Sequence, residues 1–288
     1  MQEINWRCRY APSLGALEDT PENVWGTVPY NPEIDKDLPT VFFGLYGLPD
    51  FYTLWRHRGA KAILWAGSDI IHFKNGYWLD HEGDIRIDNK ALATWINKNC
   101  ESYVENIVEY NALKELGIES NIIPSFLGQL REYEVEYTYS NQPSVYVSCG
   151  KDRQLEYGFG IIEEIASKVP DVTFYLYGDT WETRHPNVIV RGRIPKEIMN
   201  EEIKSMQAGI RLNEFDGCSE VICKSILWGQ HPISRIPYNG VDSFETKEEL
   251  IERLKSLSDK ILPNTKGRDW FIRNLNKYPW NAKINKTT

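Results

Sequence analysis

The feature that most constrains the fold is a repeated alternation of short apolar runs with longer amphipathic stretches. In the first half, strands are predicted at 41–47, 60–70, 102–106 and 120–124. The alternation restarts at Ser144, and strands are predicted at 144–150, 172–179, 187–193 and 209–212. Because short strands that alternate with helices are typical of parallel βαβ units, the sequence predicts an α/β protein with two Rossmann-like sheets.

The same pattern sets the predicted domain boundaries. A chain of 288 residues is long enough for two domains of ordinary size. Prolines recur through residues 1–38, which are therefore predicted to form an irregular N-terminal arm. Residues 39–142 are predicted to be an N-terminal Rossmann-like domain with its linker, 143–265 a second domain, and 266–288 a C-terminal helix.

Charge and cysteine content narrow the function classes. The net charge is −8 and the pI is 5.3, whereas proteins that grip a nucleic-acid backbone usually carry a basic face. The five cysteines include no CxxC pair, which argues against a disulfide framework or zinc site and favours a reducing compartment. Since no signal peptide and no apolar run of about 18 residues is present, we expect a cytoplasmic protein, with peripheral membrane association left open.

The segment from Gly209 to Ser234 combines several features of a ligand site. Gly217 lies in a polar loop after a predicted strand, where it allows the backbone to approach a ligand. Ser219 fits the N-cap of the following helix, and Gly229 fits its left-handed stop. A helix N-terminus at the carboxyl end of a strand favours an anion, because unpaired amides and the helix dipole attract negative charge.

Five stretches of the second half, in this order, resemble the nucleotide-binding domain of GT-B glycosyltransferases of retaining family 4. They are VSCGK, IIEEIASKVPDVTFYLYGD, NVIVRGRIP, the segment 209–234, and DWFIRNL. The family segment reads E-G-F-G-x-x-x-x-E-A-x-x-x-G-x-P-V. Alignment on Gly229 places Asp216 at its first glutamate and Lys224 at its second, where the charge is reversed. ILWAGSDI and VEYNALKELGIESNIIP are similar to acceptor-side stretches of bacterial sugar transferases.

The resemblance implies GT-B architecture, in which two Rossmann-like domains are followed by a C-terminal helix that returns to the first domain. It also implies a hexosyltransferase-like enzyme that moves a sugar from a nucleotide-sugar donor to an unknown acceptor, such as a glycan or lipid-linked sugar, with retention of configuration. No metal and no cofactor are implied, because cations and amide groups stabilise the diphosphate leaving group in such enzymes.

The resemblance also assigns the candidate site residues. The catalytic candidates are Lys151, Arg153 and Asp216. The donor-binding candidates are Gly150, Arg193, Ile194, Asp216, Gly217, Ser219, Glu220 and Lys224. The acceptor-side candidates are Gly44, Ser68 and Asp69. Asp69 is included because it ends a predicted apolar strand, where an unpaired carboxylate is costly.

Ordinary structural roles stay open for these residues. Lys151 and Arg153 also fit solvated loop charges, and the segment 193–195 fits a plain turn into a helix with proline at its start. Asp216 and Glu220 also fit carboxylates near a helix N-terminus that interact only with the helix dipole. Lys224 fits an i,i+4 ion pair with Glu220.

Two other functions stay open as well. The first is a non-catalytic glycosyltransferase-like protein that binds a sugar or nucleotide, which is favoured by Lys224 and by the absence of lysine before Gly158. The second is a transferase that modifies a nucleic-acid base or a protein. HExxH, GxxxxGK[ST] and a Ser-His-Asp order are absent, so zinc-protease, P-loop and hydrolase classes have no positive support.

Overall fold

The computed structural model of the protein describes residues 5–15, 20–76 and 89–285. Contacts divide the chain into two compact units. Unit 1 comprises Met1–Gln129, Phe215–Cys218 and Asn274–Thr288, and unit 2 comprises Leu130–Glu214 and Ser219–Arg273. Each unit contains a parallel β-sheet with helices, so the protein is α/β and has the two Rossmann-like sheets that the alternation predicts.

The sheet of unit 1 has the strand order β2-β1-β3-β4-β5-β6, and all its strand pairs are parallel. Its strands are β1 (Arg7–Tyr10), β2 (Val28–Pro29), β3 (Thr40–Phe43), β4 (Lys61–Leu64), β5 (Glu101–Val104) and β6 (Asn121–Ile122). Residues of the central strands alternate between two apolar clusters, as in Phe42 on one face and Val41 on the other. Burial on both faces is typical of parallel sheets.

The prediction of an irregular arm over residues 1–38 is wrong, because β1 and β2 belong to this sheet. The prolines do not interrupt regular structure here. Pro12 begins a short 3₁₀ turn and Pro21 begins helix α1 (Pro21–Trp25), positions where a missing N–H costs little. Pro29 lies in β2, which is an edge strand and therefore tolerates proline.

The other helices in the N-terminal part of unit 1 lie between its strands. They are α2 (Leu48–Arg56), α3 (Ser68–Lys74), α4 (Asn89–Asn99) and α5 (Ile107–Glu115). The strand predicted over 60–70 is too long, since β4 ends at Leu64 and α3 begins at Ser68. Asp69 therefore lies in the first turn of a helix, where its carboxylate accepts the amide protons of Ala66 and Ile70.

The sheet of unit 2 has the order β12-β11-β10-β7-β8-β9. Its strands are β7 (Ser144–Ser148), β8 (Thr173–Tyr177), β9 (Val188–Gly192), β10 (Ala208–Arg211), β11 (Ile233–Ser234) and β12 (Asp242–Ser243). Its helices are α6 (Phe159–Ile165), α7 (Lys196–Ile203), α8 (Glu220–Leu227), α9 (Lys247–Lys255) and α10, which runs Thr265–Asn274. The chain leaves β7 toward β8 and later returns on its other side with β10. The topological switch point, where ligands bind in such sheets, is therefore between β7 and β10.

The helix predicted within 266–288 ends earlier than the amphipathic pattern indicates. α10 stops at Asn274, and Asn276 adopts a left-handed φ of 59° that breaks the helix. The side-chain Oδ1 of Asn276 accepts from Trp25 Nε1 and from the Phe126 backbone amide, and its Nδ2 donates to the Phe126 carbonyl. All three residues belong to unit 1. After Arg273 the chain groups with unit 1 again, and residues 275–281 form turns and irregular backbone before the short helix α11 (Ala282–Asn285).

Candidate functional site

The loops after β7 and β8 meet at the carboxyl edge of the unit 2 sheet. Gly178 adopts a φ of +104°, and a Cβ atom there would lie 1.9 Å from the Cys149 carbonyl oxygen. Only glycine therefore allows these loops to come so close. The Asp152 amide donates to Asp179 Oδ2 at 2.6 Å, which ties the loop that contains Gly150 and Lys151 to the end of β8.

The charges of two predicted cations act on Asp179, which lies in this loop pair. The pKa of Asp179 is lowered, chiefly by amide hydrogen bonds from Asp152 and Thr180 and further by the charges of Lys151 and Arg193. Lys151 follows β7 and Arg193 follows β9, and both are exposed. These two residues, which are 42 positions apart in the sequence, therefore both act electrostatically on Asp179. Ile194 is half-buried next to Arg193.

Arg153, in contrast, is held by a neighbour. Its guanidinium forms a two-point ion pair with Glu156, with Nε 2.7 Å from Oε2, and lies 5.1 Å from the centre of the Tyr157 ring. Arg211, at the end of β10, lies over the same ring at 4.2 Å. Arg153 is therefore accompanied at this ring by a second cation, Arg211, that the sequence reasoning missed.

Arg211 lies on the β10 side of the switch point. Burial and the charge of Asp179 raise the pKa of the Cys149 thiol to about 11, while the charge of Arg211 lowers it. Arg211 therefore acts electrostatically on the residue that directly follows β7. The signal in the sequence was a cation at the carboxyl end of a buried apolar strand, where a charge without a role is costly.

The start of α8 has the predicted local structure. The Ser219 hydroxyl accepts the Val221 amide proton at 3.3 Å, and Gly229 has the left-handed φ of +82° that ends the helix. Lys224 is 5% exposed, with Nζ 3.2 Å from Asn200 Oδ1 and 3.7 Å from Glu220 Oε2. Glu220 Oε2 also lies 3.1 Å from Lys196 Nζ. The i,i+4 pair between Lys224 and Glu220 is present, within a larger charged group.

Asp216 and Gly217 lie in a loop, Phe215–Cys218, that belongs to unit 1, whereas the rest of 143–265 groups with unit 2. The Asp216 carbonyl accepts from Asn106 Nδ2 at 2.8 Å. The Asp216 Oδ1 atom accepts the Gly217 amide proton at 3.0 Å. The predicted second domain, 143–265, is therefore interrupted in the sequence by a short loop that groups with unit 1.

Sequence reasoning also missed two buried acids next to this loop, Glu105 and Glu109. Glu105 Oε2 accepts the Cys218 amide proton at 2.6 Å, and the Glu105 amide donates to Glu109 Oε2 at 2.7 Å. Burial raises the pKa of Glu105 to about 7 and that of Glu109 well above its ordinary value. The available signal was the polar pair Glu105-Asn106, which directly follows the apolar strand β5.

The acceptor-side candidates all lie in unit 1. Asp69 is fully buried, with Oδ2 accepting the Leu45 amide proton at 3.0 Å and burial raising its pKa to about 6. Its carboxylate thus connects the loops after β3 and β4 and does not face solvent. Ser68 is exposed, and Gly44 has a φ of +80° after β3, where a Cβ would lie 2.6 Å from the Tyr46 ring.

Two further features concern the described residues as a whole. Within 5–15, 20–76 and 89–285, no group of three or more His, Cys, Asp or Glu side chains is arranged to hold a metal ion. In the same ranges, no helix has the length and apolar character needed to cross a membrane.

Comparison with known proteins identifies the fold. No protein-family model and no curated protein matches the sequence. Among solved structures, S. aureus TarM in complex with fondaparinux, alpha-GlcNAc-glycerol and UDP has a TM-score of 0.57 at 13% identity, covering 86% of this chain and 54% of that chain. Pneumococcal O-GlcNAc transferase GtfA, in complex with UDP and GlcNAc, has 0.54 at 11%, covering 86% and 56%. Sucrose-phosphate synthase from Thermosynechococcus elongatus has 0.57 at 10%, covering 86% and 72%.

These neighbours are GT-B glycosyltransferases, so the fold expected from the resemblance is confirmed. The chain spans about half the length of the TarM and GtfA chains that it matches.

Proposed function

We propose that this chain is a glycosyltransferase that moves a sugar from a nucleotide-sugar donor to an acceptor, with retention of configuration. The observation that carries the proposal is the presence of three cations, Lys151, Arg193 and Arg211, at the carboxyl ends of β7, β9 and β10. Such charges are what a departing diphosphate requires. The fold is also shared with TarM and GtfA, whose structures contain UDP.

The proposed roles follow from the position of each side chain. Lys151, Arg193 and Arg211 neutralise the diphosphate, and the backbone at Gly150 and Ile194 approaches the nucleotide. Arg153, paired with Glu156, orders the loop and contributes charge. In the segment around α8, the hydroxyl of Ser219 and the carboxylate of Glu220 bind donor hydroxyls while Lys224 orients Glu220.

The remaining roles concern the sugar and the acceptor. Asp216 and Gly217 contact the donor sugar, and the backbone around Gly44 and the exposed Ser68 serve the acceptor, which is a glycan, lipid-linked sugar or other nucleophile. Asp69 positions the acceptor-side loops through its three amide contacts. Catalysis then rests on leaving-group stabilisation without a metal or a dedicated base, and we place the enzyme in the cytoplasm, where nucleotide-sugars are available.

The test is turnover of a panel of UDP-, GDP- and ADP-sugars by the wild type and by Lys151→Ala and Arg211→Ala. We expect the wild type to release one kind of nucleoside diphosphate from this panel. We expect each variant to lose about 100-fold in kcat, the usual effect of removing one charge-stabilising group. Lys168→Ala is the matched control, because Lys168 is an exposed lysine in the 3₁₀ turn after α6, at the end remote from Lys151. The proposal fails if the wild type and Lys151→Ala are both indistinguishable from the blank.

A second candidate is a non-catalytic protein that binds a nucleotide or sugar. Lys224 favours it, because an ammonium stands where the resembling family has a carboxylate, and that ammonium is already engaged by Glu220 and Asn200. Saturable binding of UDP or GDP by titration calorimetry, without turnover of any donor in the panel, would support this candidate over the enzyme.

A further inference from the structure

Both oxygen atoms of the Glu105 carboxylate accept hydrogen bonds around one loop, one from a backbone amide and one from a side-chain hydroxyl. Oε2 accepts the Cys218 amide proton at 2.6 Å, and Oε1 accepts the hydroxyl proton of Ser125. Glu105 is only 6% exposed, although it directly follows the strand β5 in a turn. Burial of a carboxylate is unfavourable unless its oxygen atoms accept hydrogen bonds. In Glu105, one of these hydrogen bonds holds the chain at Cys218.

The loop Phe215–Cys218 has little room to move against this contact. A Cβ atom at Gly217 would lie 2.1 Å from Glu105 Oε2, and one at Gly67 would lie 2.8 Å from the Gly217 amide nitrogen. On the preceding residue, the Asp216 carbonyl accepts from Asn106 at 2.8 Å. Hydrogen bonds within unit 1 thus hold Asp216 and Cys218, and Gly217 between them has no room for a side chain.

Glu105 is itself fixed from behind by α5. Its amide donates to Glu109 Oε2 at 2.7 Å, and Asn106 Oδ1 caps the helix by accepting the Val108 and Glu109 amide protons at 3.0 Å. Glu109 is fully buried, and its Oε1 atom has no hydrogen-bond partner among the residues that the structure describes. Such an arrangement costs stability, which identifies the turn after β5 as a place where geometry is kept at the expense of stability.

We propose that Glu105 is a positioning residue that fixes the backbone of Phe215–Cys218 and thereby the Asp216 carboxylate. The inference rests on the proposed function, in which Asp216 contacts the donor sugar. What positions the loop is the reach and shape of the Glu105 side chain, and its charge is not required. A glutamine can accept the Cys218 amide proton with its carbonyl oxygen and donate to the Ser125 hydroxyl with its NH₂ group.

This mechanism predicts opposite behaviour for two conservative variants. Glu105→Gln keeps the length and the acceptor, so we expect kcat within about twofold of wild type. Glu105→Asp keeps the charge but is one methylene shorter, so the carboxylate retracts from the Cys218 amide. We expect kcat to fall about 10- to 100-fold, because a displacement of about 1 Å at a reacting group has that effect. KM and the affinity for the nucleoside diphosphate should change less than twofold, since the proposed diphosphate cations lie in unit 2.

Amide hydrogen exchange of residues 215–219 gives a readout that does not depend on turnover. Exchange should be faster in Glu105→Asp and unchanged in Glu105→Gln. The control is Glu101→Gln, which replaces an exposed glutamate at the start of the same strand. In the described residues, the side-chain hydrogen bond of Glu101 is the one that Oε2 accepts from the Tyr103 hydroxyl.

Each outcome discriminates. The inference is overturned if Glu105→Asp is active and exchanges its amides at the wild-type rate. It is also overturned if Glu105→Gln is defective while Glu105→Asp is active, because that result would show that the charge of Glu105 is required. If Glu105→Asp speeds exchange but wild type turns over no donor, the loop is positioned as inferred and it is the proposed function that fails. The thermal unfolding of each variant is measured first, so that a global loss of fold is not read as a loss of positioning.

Discussion

Replacement of Glu105 by glutamine should flatten the pH dependence of the free energy of unfolding between pH 4.5 and 7. Burial raises the pKa of Glu105 from 4.5 to about 7, against the opposing hydrogen bonds from Ser125 and Cys218, and the charges of Asp216 and Asp69 raise it further. Within this range the folded protein retains a proton that the unfolded chain releases. Linkage then requires that stability falls as pH rises, and that the loss is complete above the folded pKa.

The size of the effect follows from the shift. A rise from 4.5 to about 7 corresponds to a difference of about 3 kcal/mol between pH 4 and pH 8, at 1.36 kcal/mol per pH unit. The Glu105→Gln variant cannot take up this proton, so it should be more stable than wild type at pH 8 and similar to it at pH 5.

The assay is urea unfolding at pH 5, 6, 7 and 8, with the slope m compared to verify that the same surface is exposed. Asp69, whose pKa burial raises to about 6, leaves a residual pH dependence in every variant. Glu101→Gln is the control and should follow wild type, because Glu101 is exposed. If Glu105→Gln loses as much stability between pH 5 and pH 8 as wild type does, Glu105 is not the proton-binding group and the reasoning is wrong.

Three further predictions test the geometry of the two units. Gly217→Ala should lower the free energy of unfolding by about 1–3 kcal/mol in urea titrations, since its Cβ would overlap Glu105, whereas Gly160→Ala, with no atom nearer than 3.4 Å, should be neutral or stabilising. Gly178→Ala combines a φ of +104° with a Cβ 1.9 Å from the Cys149 carbonyl, so it should cost about 3 kcal/mol or more and lower the midpoint of thermal unfolding by circular dichroism. Arg211→Ala should weaken UDP binding about tenfold more than Arg153→Ala in calorimetric titrations, because Glu156 already neutralises Arg153; equal losses would contradict the assignment of Arg211.

The alternation of apolar runs and helical patterns was sufficient to predict the fold, because in a doubly wound sheet each strand is buried on both faces and each helix on one. It failed where a local signal has two structural meanings. Pro21 and Pro29 indicate irregular structure by composition, yet one begins a helix and the other ends an edge strand. Asp69 appeared to end a strand because the apolar run continues past Leu64, and only the turn at Gly67 shows that a helix has begun.

The candidate site was predictable to the extent that it depends on loops after strands. Lys151 and Arg193 follow predicted strands, and the charges of both lower the pKa of Asp179. The contacts of the loop Phe215–Cys218 were not predictable, since Glu105 and Cys218 are 113 positions apart and no local pattern links them. A charged residue at the end of a buried strand, as at Arg211, or directly after one, as at Glu105, is the signal that could have identified these residues.

Lys224 illustrates how a departure from a family pattern can be absorbed locally. From the sequence, the reversed charge argues against a donor site, because the resembling family uses a carboxylate there. In the structure, the Lys224 ammonium is 3.7 Å from Glu220 and 3.2 Å from the Asn200 amide oxygen, while Lys196 approaches the same Glu220 oxygen at 3.1 Å. The carboxylate one turn earlier in α8 therefore lies between two lysine ammonium groups. A site built on Glu220 would retain one carboxylate that accepts hydrogen bonds from sugar or ribose hydroxyls. The reversed charge at position 224 would then change which residue supplies that carboxylate, without removing it from the site.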